Sequence, residues 1–197
     1  MIHDSEILNA DILGICESWL HSGHSKKSIE IPGYEIERCD RNDNSGKGGV
    51  VAYIKSGLKY MSINLPEDVK NPGLEVLLLK LFNPEMYVLI LYRSQSISKS
   101  DISCKMSKVM ENIPPYSRCV VLGDINIDIL SDPDQIEIQS LTSFQQIIKE
   151  ATYYGGRGHQ SLLDHIYIKN CNSVACGVLQ TYYSDHDPIY CVININE

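Results

Sequence analysis

Short apolar runs separated by polar turns dominate the chain, and their spacing is mostly that of strands. Ile12–Cys16, Glu35–Cys39, Val50–Ile54 and Cys119–Leu122 read as strands, the first and last as buried ones. Leu74–Leu81 and Met86–Tyr92 flank Phe82-Asn83-Pro84-Glu85 and predict a hairpin. Leu162–Ile168, Ser173–Leu179 and Ile189–Ile195 complete the set of strands. Helical spacing occurs in two places. Asp101–Glu111 carries apolar residues at 102, 106, 109 and 110, with Ser100 as its expected cap and Pro114-Pro115 as its stop. Ile138–Ala151 places Leu141, Phe144, Ile147 and Ile148 on one helical face. Arg41–Gly49 and the glycine-rich Thr152–Gln160 read as loops. Many strands with few helices predict two packed sheets with helices outside.

At 197 residues the chain can bury a substantial core, and with no repeat or linker it reads as a single domain over residues 1–197. No apolar run approaches the roughly 20 residues of a membrane span, and no basic segment precedes the first apolar residues, so neither a span nor a signal peptide is expected. Seven cysteines without a CxxC pair favour free thiols in a reducing, intracellular compartment, nuclear or cytoplasmic. The net charge of -8 weighs against tight nonspecific binding of duplex DNA, which needs a basic surface.

Chemistry-bearing residues recur where apolar runs end. Glu17 leaves the Ile12–Cys16 run, Tyr92-Arg93 closes another, and Asp124 and Asn126 follow Cys119–Gly123. Asp164 precedes His165–Ile168, and Asp185 and His186 precede the last strand. Residues two apart on an extended chain share a face, so Asp124 and Asn126 can both point into a cleft; a simple polar turn is the plain alternative. Glu17 suits a hard cation, or is an ordinary surface acid. His186 can act as a base or stabilise charge on phosphorus, oriented better by Asp164 than by its neighbour Asp185. His165 should point away from that cleft and serve structure. Tyr92 and Arg93 would suit a phosphate, and Trp19 a core position or a stacking wall.

Taken in order, Glu17-Ser18-Trp19-Leu20, Gly48-Gly49-Val50, Tyr92-Arg93, Gly123-Asp124-Ile125-Asn126, Ser161-Leu162-Leu163-Asp164-His165-Ile166 and Ser184-Asp185-His186-Asp187-Pro188-Ile189 resemble the endonuclease/exonuclease/phosphatase family. The likeness runs from about Asp11 to Ile195 and is strongest to the apurinic-type endonuclease domain of non-LTR retrotransposons. It implies an α/β fold, a four-layer sandwich of two packed mixed sheets with outer helices. It also implies a Mg²⁺ cofactor, with Mn²⁺ as a substitute, and DNA as the partner that is nicked to leave a 3′-hydroxyl. By motif, Glu17 and Asp185 are similar to the metal-side acids. Tyr92 and His186 resemble the phosphate-contacting pair, Asp124 the residue activating water, Asn126 its phosphate-orienting neighbour, and Asp164 the acid orienting the histidine. The family opens with a strand bearing an asparagine, whereas only ten residues precede Asp11 and Asn9 falls too late to match. The resemblance therefore implies a gap inside one sheet, left open in an incomplete copy or covered by a partner chain or a second copy. A phosphoesterase of small or lipid phosphates and a non-catalytic interaction module are the alternative functions.

Overall fold

The computed structural model describes residues 9–42, 46–69, 72–131 and 141–195. Its centre is a six-stranded sheet in the order β4-β5-β6-β7-β11-β8. These strands are β4 (Tyr60–Ile63), β5 (Leu74–Phe82), β6 (Glu85–Arg93), β7 (Cys119–Asp124), β11 (Asp164–Lys169) and β8 (Gln145–Gln146). All neighbours are antiparallel except β6 and β7, whose parallel pairing makes the sheet mixed. The crossover between β6 and β7 carries α1 (Lys99–Met110), as a parallel connection requires.

Strand alternation divides the interior in two. Leu74, Val76 and Leu78 on β5, with Tyr87, Leu89 and Leu91 on β6, pack against Ile102, Met106 and Val109 of α1. The residues between them, Leu77, Leu79, Met86, Val88 and Ile90, face a second sheet. That layer is β2-β3-β1, made of β1 (Ile12–Cys16), β2 (Tyr34–Cys39) and β3 (Val50–Lys55), with the separate hairpin of β12 (Ser173–Val178) and β13 (Ile189–Ile193). Burial on both faces explains why β5 and β6 read as unbroken apolar runs rather than alternating ones. Ile36, Val51 and Tyr53, on the far side of the small sheet, are covered by Leu20, Ile29 and Ile31 from the segment containing a short 3-10 turn, Lys26–Ile29. The fold is thus mixed α/β with packed sheets and few flanking helices, as expected.

Three local expectations are corrected. The second helix does not form: within Leu141–Ala151 the chain makes only the two-residue strand β8, and residues 138–140 lie outside the described ones. Its apolar residues do not share one face. Leu141 and Phe144 enter the core under α1, while Ile147 and Ile148 enter the core between the sheets, so the segment wraps the sheet edge. The cap of α1 is Ser98 rather than Ser100, accepting the Asp101 backbone N–H at 3.1 Å. Two short strands also stood in the expected glycine-rich loop, β9 (Tyr153–Tyr154) and β10 (Gln160–Ser161), paired to each other.

Candidate active site

The inter-sheet face of the large sheet ends in polar residues at one level. Along β5 the inward row runs Leu81, Leu79, Leu77 and then Glu75; along β6 it runs Met86, Val88, Ile90 and then Tyr92. On β7 it ends in Asp124, and on β11, which runs the opposite way, it begins with Asp164. The pairing registers place Glu75 opposite Tyr92, Tyr92 opposite Asp124 and Asp124 opposite Asp164. One cross-strand row therefore delivers four polar side chains to a single edge of the sandwich. Gly123 makes the row possible: its φ is +142° and a Cβ there would lie 1.8 Å from the Leu91 carbonyl oxygen, so no side chain fits.

Beside Asp164 stands His186, on the loop leading into β13. Its Nδ1 lies 2.7 Å from Asp164 Oδ2, which leaves Nε2 for the cleft. Thr152, fully buried, donates to the same oxygen at 2.7 Å and accepts the backbone N–H groups of Leu163 and Asp164 at 3.1 and 3.0 Å. The Thr152 carbonyl accepts the Asp187 N–H at 2.7 Å, and the buried Asp187 carboxylate accepts the Thr181 N–H at 2.8 Å. These bonds tie the His186 loop at both ends. Asp185 is exposed, its carbonyl accepting the Tyr154 N–H at 2.9 Å.

Asp124 is buried, and its carboxylate accepts Nδ2 and the backbone N–H of Asn126, each at 3.0 Å. Asn126 also donates to the Arg93 carbonyl at 2.8 Å. From the smaller sheet comes Glu17, directly after β1. Its Oε1 accepts the Tyr92 hydroxyl at 2.5 Å and its Oε2 accepts Trp19 Nε1 at 3.0 Å. Glu17, Trp19 and Asn126 have φ of 50°, 54° and 54°. Non-glycine residues held at positive φ gather at functional sites, where the surroundings over-determine the strain.

Burial and the Asp164 charge both raise the Asp124 carboxyl well above the usual carboxylate range. Burial alone would pull His186 down, but the Asp164 hydrogen bond and the Asp164, Asp124 and Asp185 charges overcome it and raise the imidazole. Burial pushes Glu17 up, yet the Tyr92 and Trp19 hydrogen bonds with the Arg41 and His186 charges hold it below the usual range. The Asp124 and Glu17 carboxyls are thus driven apart, and His186 is held toward its protonated form, so one cleft holds both a proton acceptor and a cation. Among the described residues, Asp124, Asp164 and His186 have ligand atoms all within 4.8 Å of one another. The two carboxylates suit a divalent cation, which the imidazole could join only as the neutral ring. Glu17 and Asp185 are not members of that set.

The structure gathers Glu17, Tyr92, Asp124, Asn126, Asp164 and His186 through direct contacts or adjacent places in the row. Arg93 is different. It is buried and donates to the carbonyls of Ile125 and Asn126 at 3.1 Å and to that of Ile97, so it braces the backbone behind Asp124 instead of facing a phosphate. His165, 1% exposed, points into the opposite core, as expected. Trp19 is exposed and is no core residue.

Four contributors escaped the sequence reading. Arg41 pairs with the buried Glu75 through two bonds, 2.8 and 3.0 Å, and lies 5.5 Å from the Tyr92 ring centre. Glu75 also accepts the Gly73 N–H at 2.9 Å. Thr152 is described above, and Cys16 lies beneath the site, its thiol donating to the Leu91 carbonyl at 3.3 Å. Gly48 makes room for Arg41: a Cβ there would lie 2.4 Å from its guanidinium.

No family model and no curated protein matches the sequence. Solved structures do. A 3′ phosphatase from Neisseria bound to a product DNA hairpin superposes with a TM-score of 0.70 at 15% identity, over 93% of this chain and 89% of that one. An endonuclease/exonuclease/phosphatase family protein from Leptotrichia buccalis gives 0.67 at 11% identity, over 93% and 87%. The fold is the endonuclease/exonuclease/phosphatase fold. An AP endonuclease from Leishmania major shares it as well, with a TM-score of 0.66 at 13% identity over 92% and 77% of the two chains. Within the endonuclease/exonuclease/phosphatase fold, the polar row described above occupies one edge of the paired sheets.

Proposed function

We propose that the chain is a divalent-cation-dependent phosphodiesterase that nicks DNA, of the retroelement endonuclease type. The observation that carries this reading is the convergence of Tyr92, Asp124 and Asp164 along one cross-strand row, with His186 bonded to Asp164 and Glu17 bonded to Tyr92. Three structures of this fold have names that refer to DNA chemistry: the Neisseria 3′ phosphatase with a DNA hairpin, the Leishmania AP endonuclease, and D. rerio TDP2 with single-strand DNA product.

Asp124, raised toward neutrality, accepts a proton from the attacking water, and Asn126 holds the carboxylate and orients a phosphate oxygen. His186, held cationic by Asp164, stabilises the charge that builds on phosphorus, and the Tyr92 hydroxyl helps to place the phosphate. Glu17 and Asp185 are the acids assigned to Mg²⁺ or Mn²⁺. When bound, the cation supplies Lewis-acid stabilisation of the leaving oxygen. With Mg²⁺ and supercoiled DNA, the wild-type chain should nick while Asp124→Ala and His186→Ala should not. Equal nicking by all three would remove the mechanism.

The net charge of -8 favours a second reading, a phosphoesterase of small phosphorylated substrates. Phosphate release from such compounds, measured beside DNA nicking, separates the two. We also propose that a strand from a partner chain or a second copy seats between β1 and β13. Among the described residues the outer edges of both strands lack a strand partner, and Ile12, Cys16, Ile189, Cys191 and Ile193 face the core only partly buried. Such edges invite strand addition.

A further inference from the structure

The β12–β13 hairpin sets two thiols directly across from each other. Cys176 and Cys191 are register partners. The Leu179 N–H donates to the Pro188 carbonyl at 2.8 Å, which makes 179 and 188 a hydrogen-bonded pair. Alternation then makes 177 and 190 another, and places Cys176 and Cys191 in the non-hydrogen-bonded position between ladder bonds. At such a position the Cα atoms stand about 4.5 Å apart, with the side chains closer than in a hydrogen-bonded pair, inside the roughly 4.4–6.8 Å window that a disulfide spans. Both side chains lie on the inward face. Cys176 Sγ donates to the Ile147 carbonyl at 3.6 Å, and Cys191 packs against the inter-sheet core with Val178 and Ile189.

From this register we propose that Cys176 and Cys191 form an oxidisable dithiol, a modification site that stapes no other part of the fold than this hairpin. Both are free thiols in the structure. Cys176 is exposed, whereas Cys191 is half-buried, and burial together with the Cys171 and Cys176 thiols pushes the Cys191 thiol up to about 12. Cys176 is therefore the sulfur that meets an oxidant first. With hydrogen peroxide, the Cys176 thiolate attacks one peroxide oxygen; the S–O bond forms, the O–O bond breaks, and hydroxide leaves. Cys191 then attacks the Cys176 sulfur; the S–S bond forms, the S–O bond breaks, and the hydroxide released takes up the Cys191 proton. The sum is two thiols and one peroxide giving one disulfide and two waters. β13 begins three residues after His186, so the staple fixes the strand that anchors the His186 loop.

The reduced full chain is treated with hydrogen peroxide and, separately, with glutathione disulfide, then digested without reduction and mapped by mass spectrometry. The expected product is a peptide pair linked through Cys176 and Cys191, absent from Cys176→Ser and Cys191→Ser and retained in Cys104→Ser. Oxidation should also raise Tm by several degrees in the wild type and not in Cys176→Ser, whose unoxidised Tm shows that it folds. A link through Cys171 in place of Cys176, or Cys176 stopping as a sulfinic acid or glutathione adduct with Cys191 still free, overturns the proposal.

Discussion

The two halves of the cleft are built in different ways. Asp124, Asp164 and His186 are held by one sheet and by the loop bonded to its edge, with Thr152 closing the network from beneath. Glu17 and Tyr92 meet across the gap between two sheets, and the buried Arg41–Glu75 pair stands behind them. The first half depends on backbone register, which a whole sheet fixes. The second depends on how two sheets pack, which a few side chains fix. Damage to the second half should therefore reach the stability of the fold sooner than damage to the first.

The largest expected effect tests that difference directly. Arg41→Met leaves the Glu75 carboxylate, 2% exposed, without its cationic partner. Removing one member of a buried pair costs about 3–5 kcal/mol, which denaturant unfolding will show. Adding Glu75→Gln should recover part of the loss, because the amide needs no counter-charge. If Arg41→Met matches the wild type in stability, the pair does not hold this half together.

Next in size is a change in the first half that should leave the fold alone. His186→Gln keeps a polar side chain of similar length at the partly exposed loop position but removes the cation. DNA nicking should fall by roughly 10²–10³-fold, with an unfolding midpoint lowered far less than by Arg41→Met. Tyr92→Phe, which loses one hydroxyl bond to Glu17, should lower nicking by at most about tenfold, the size of a single hydrogen bond of ~1.5 kcal/mol. A greater loss from Tyr92→Phe than from His186→Gln would reverse the assignment of roles.

Thr152→Val sharpens the comparison from below. The valine keeps the shape but strips Leu163 N–H and Asp164 N–H of their acceptor and leaves Asp164 Oδ2 with His186 alone. The expected destabilisation is about 1–3 kcal/mol. It should be accompanied by weaker nicking, since Asp164 loses a bond that fixes its aim at His186. Stability lost without any change in nicking would show that Asp164 is positioned by its strand alone.

The same division explains what the sequence disclosed. Asp124 ends the apolar run of β7 and Asp164 opens that of β11, so the first half was legible as polar residues at the ends of apolar runs. Face alternation set Asp185 aside as the partner of His186 in favour of Asp164, and the two lie 2.7 Å apart. Arg41 sits in a stretch of turn-forming residues, and nothing in its neighbours signals that it folds back onto Glu75. Arg93 looked like a phosphate ligand because a strand end does not tell which way the next residue turns; it turns inward to backbone carbonyls. The apolar spacing after Ile138 had the helical period, yet it serves a chain crossing from one core to the other at a sheet edge.

The smallest effect sets two histidines on opposite sides of β11 against each other. His165 is buried with Nε2 2.9 Å from the Ile127 carbonyl and Nδ1 3.0 Å from the Tyr167 hydroxyl, and burial lowers its affinity for a proton. Its folded pKa lies below the unfolded value of about 6.5, so its contribution to stability is present above that pH and is lost as pH falls. His186 is raised in the fold, so its contribution is present below about pH 6.5 and is lost as pH rises through the folded value. In chelator-treated protein the two slopes have opposite signs and meet near the unfolded value of about 6.5. His165→Gln should tilt the stability profile toward low pH, and His186→Gln should tilt it toward high pH. Unfolding midpoints measured from pH 5 to pH 9 check both signs, and parallel profiles for the two variants would mean that the two imidazoles do not differ in environment as their partners require.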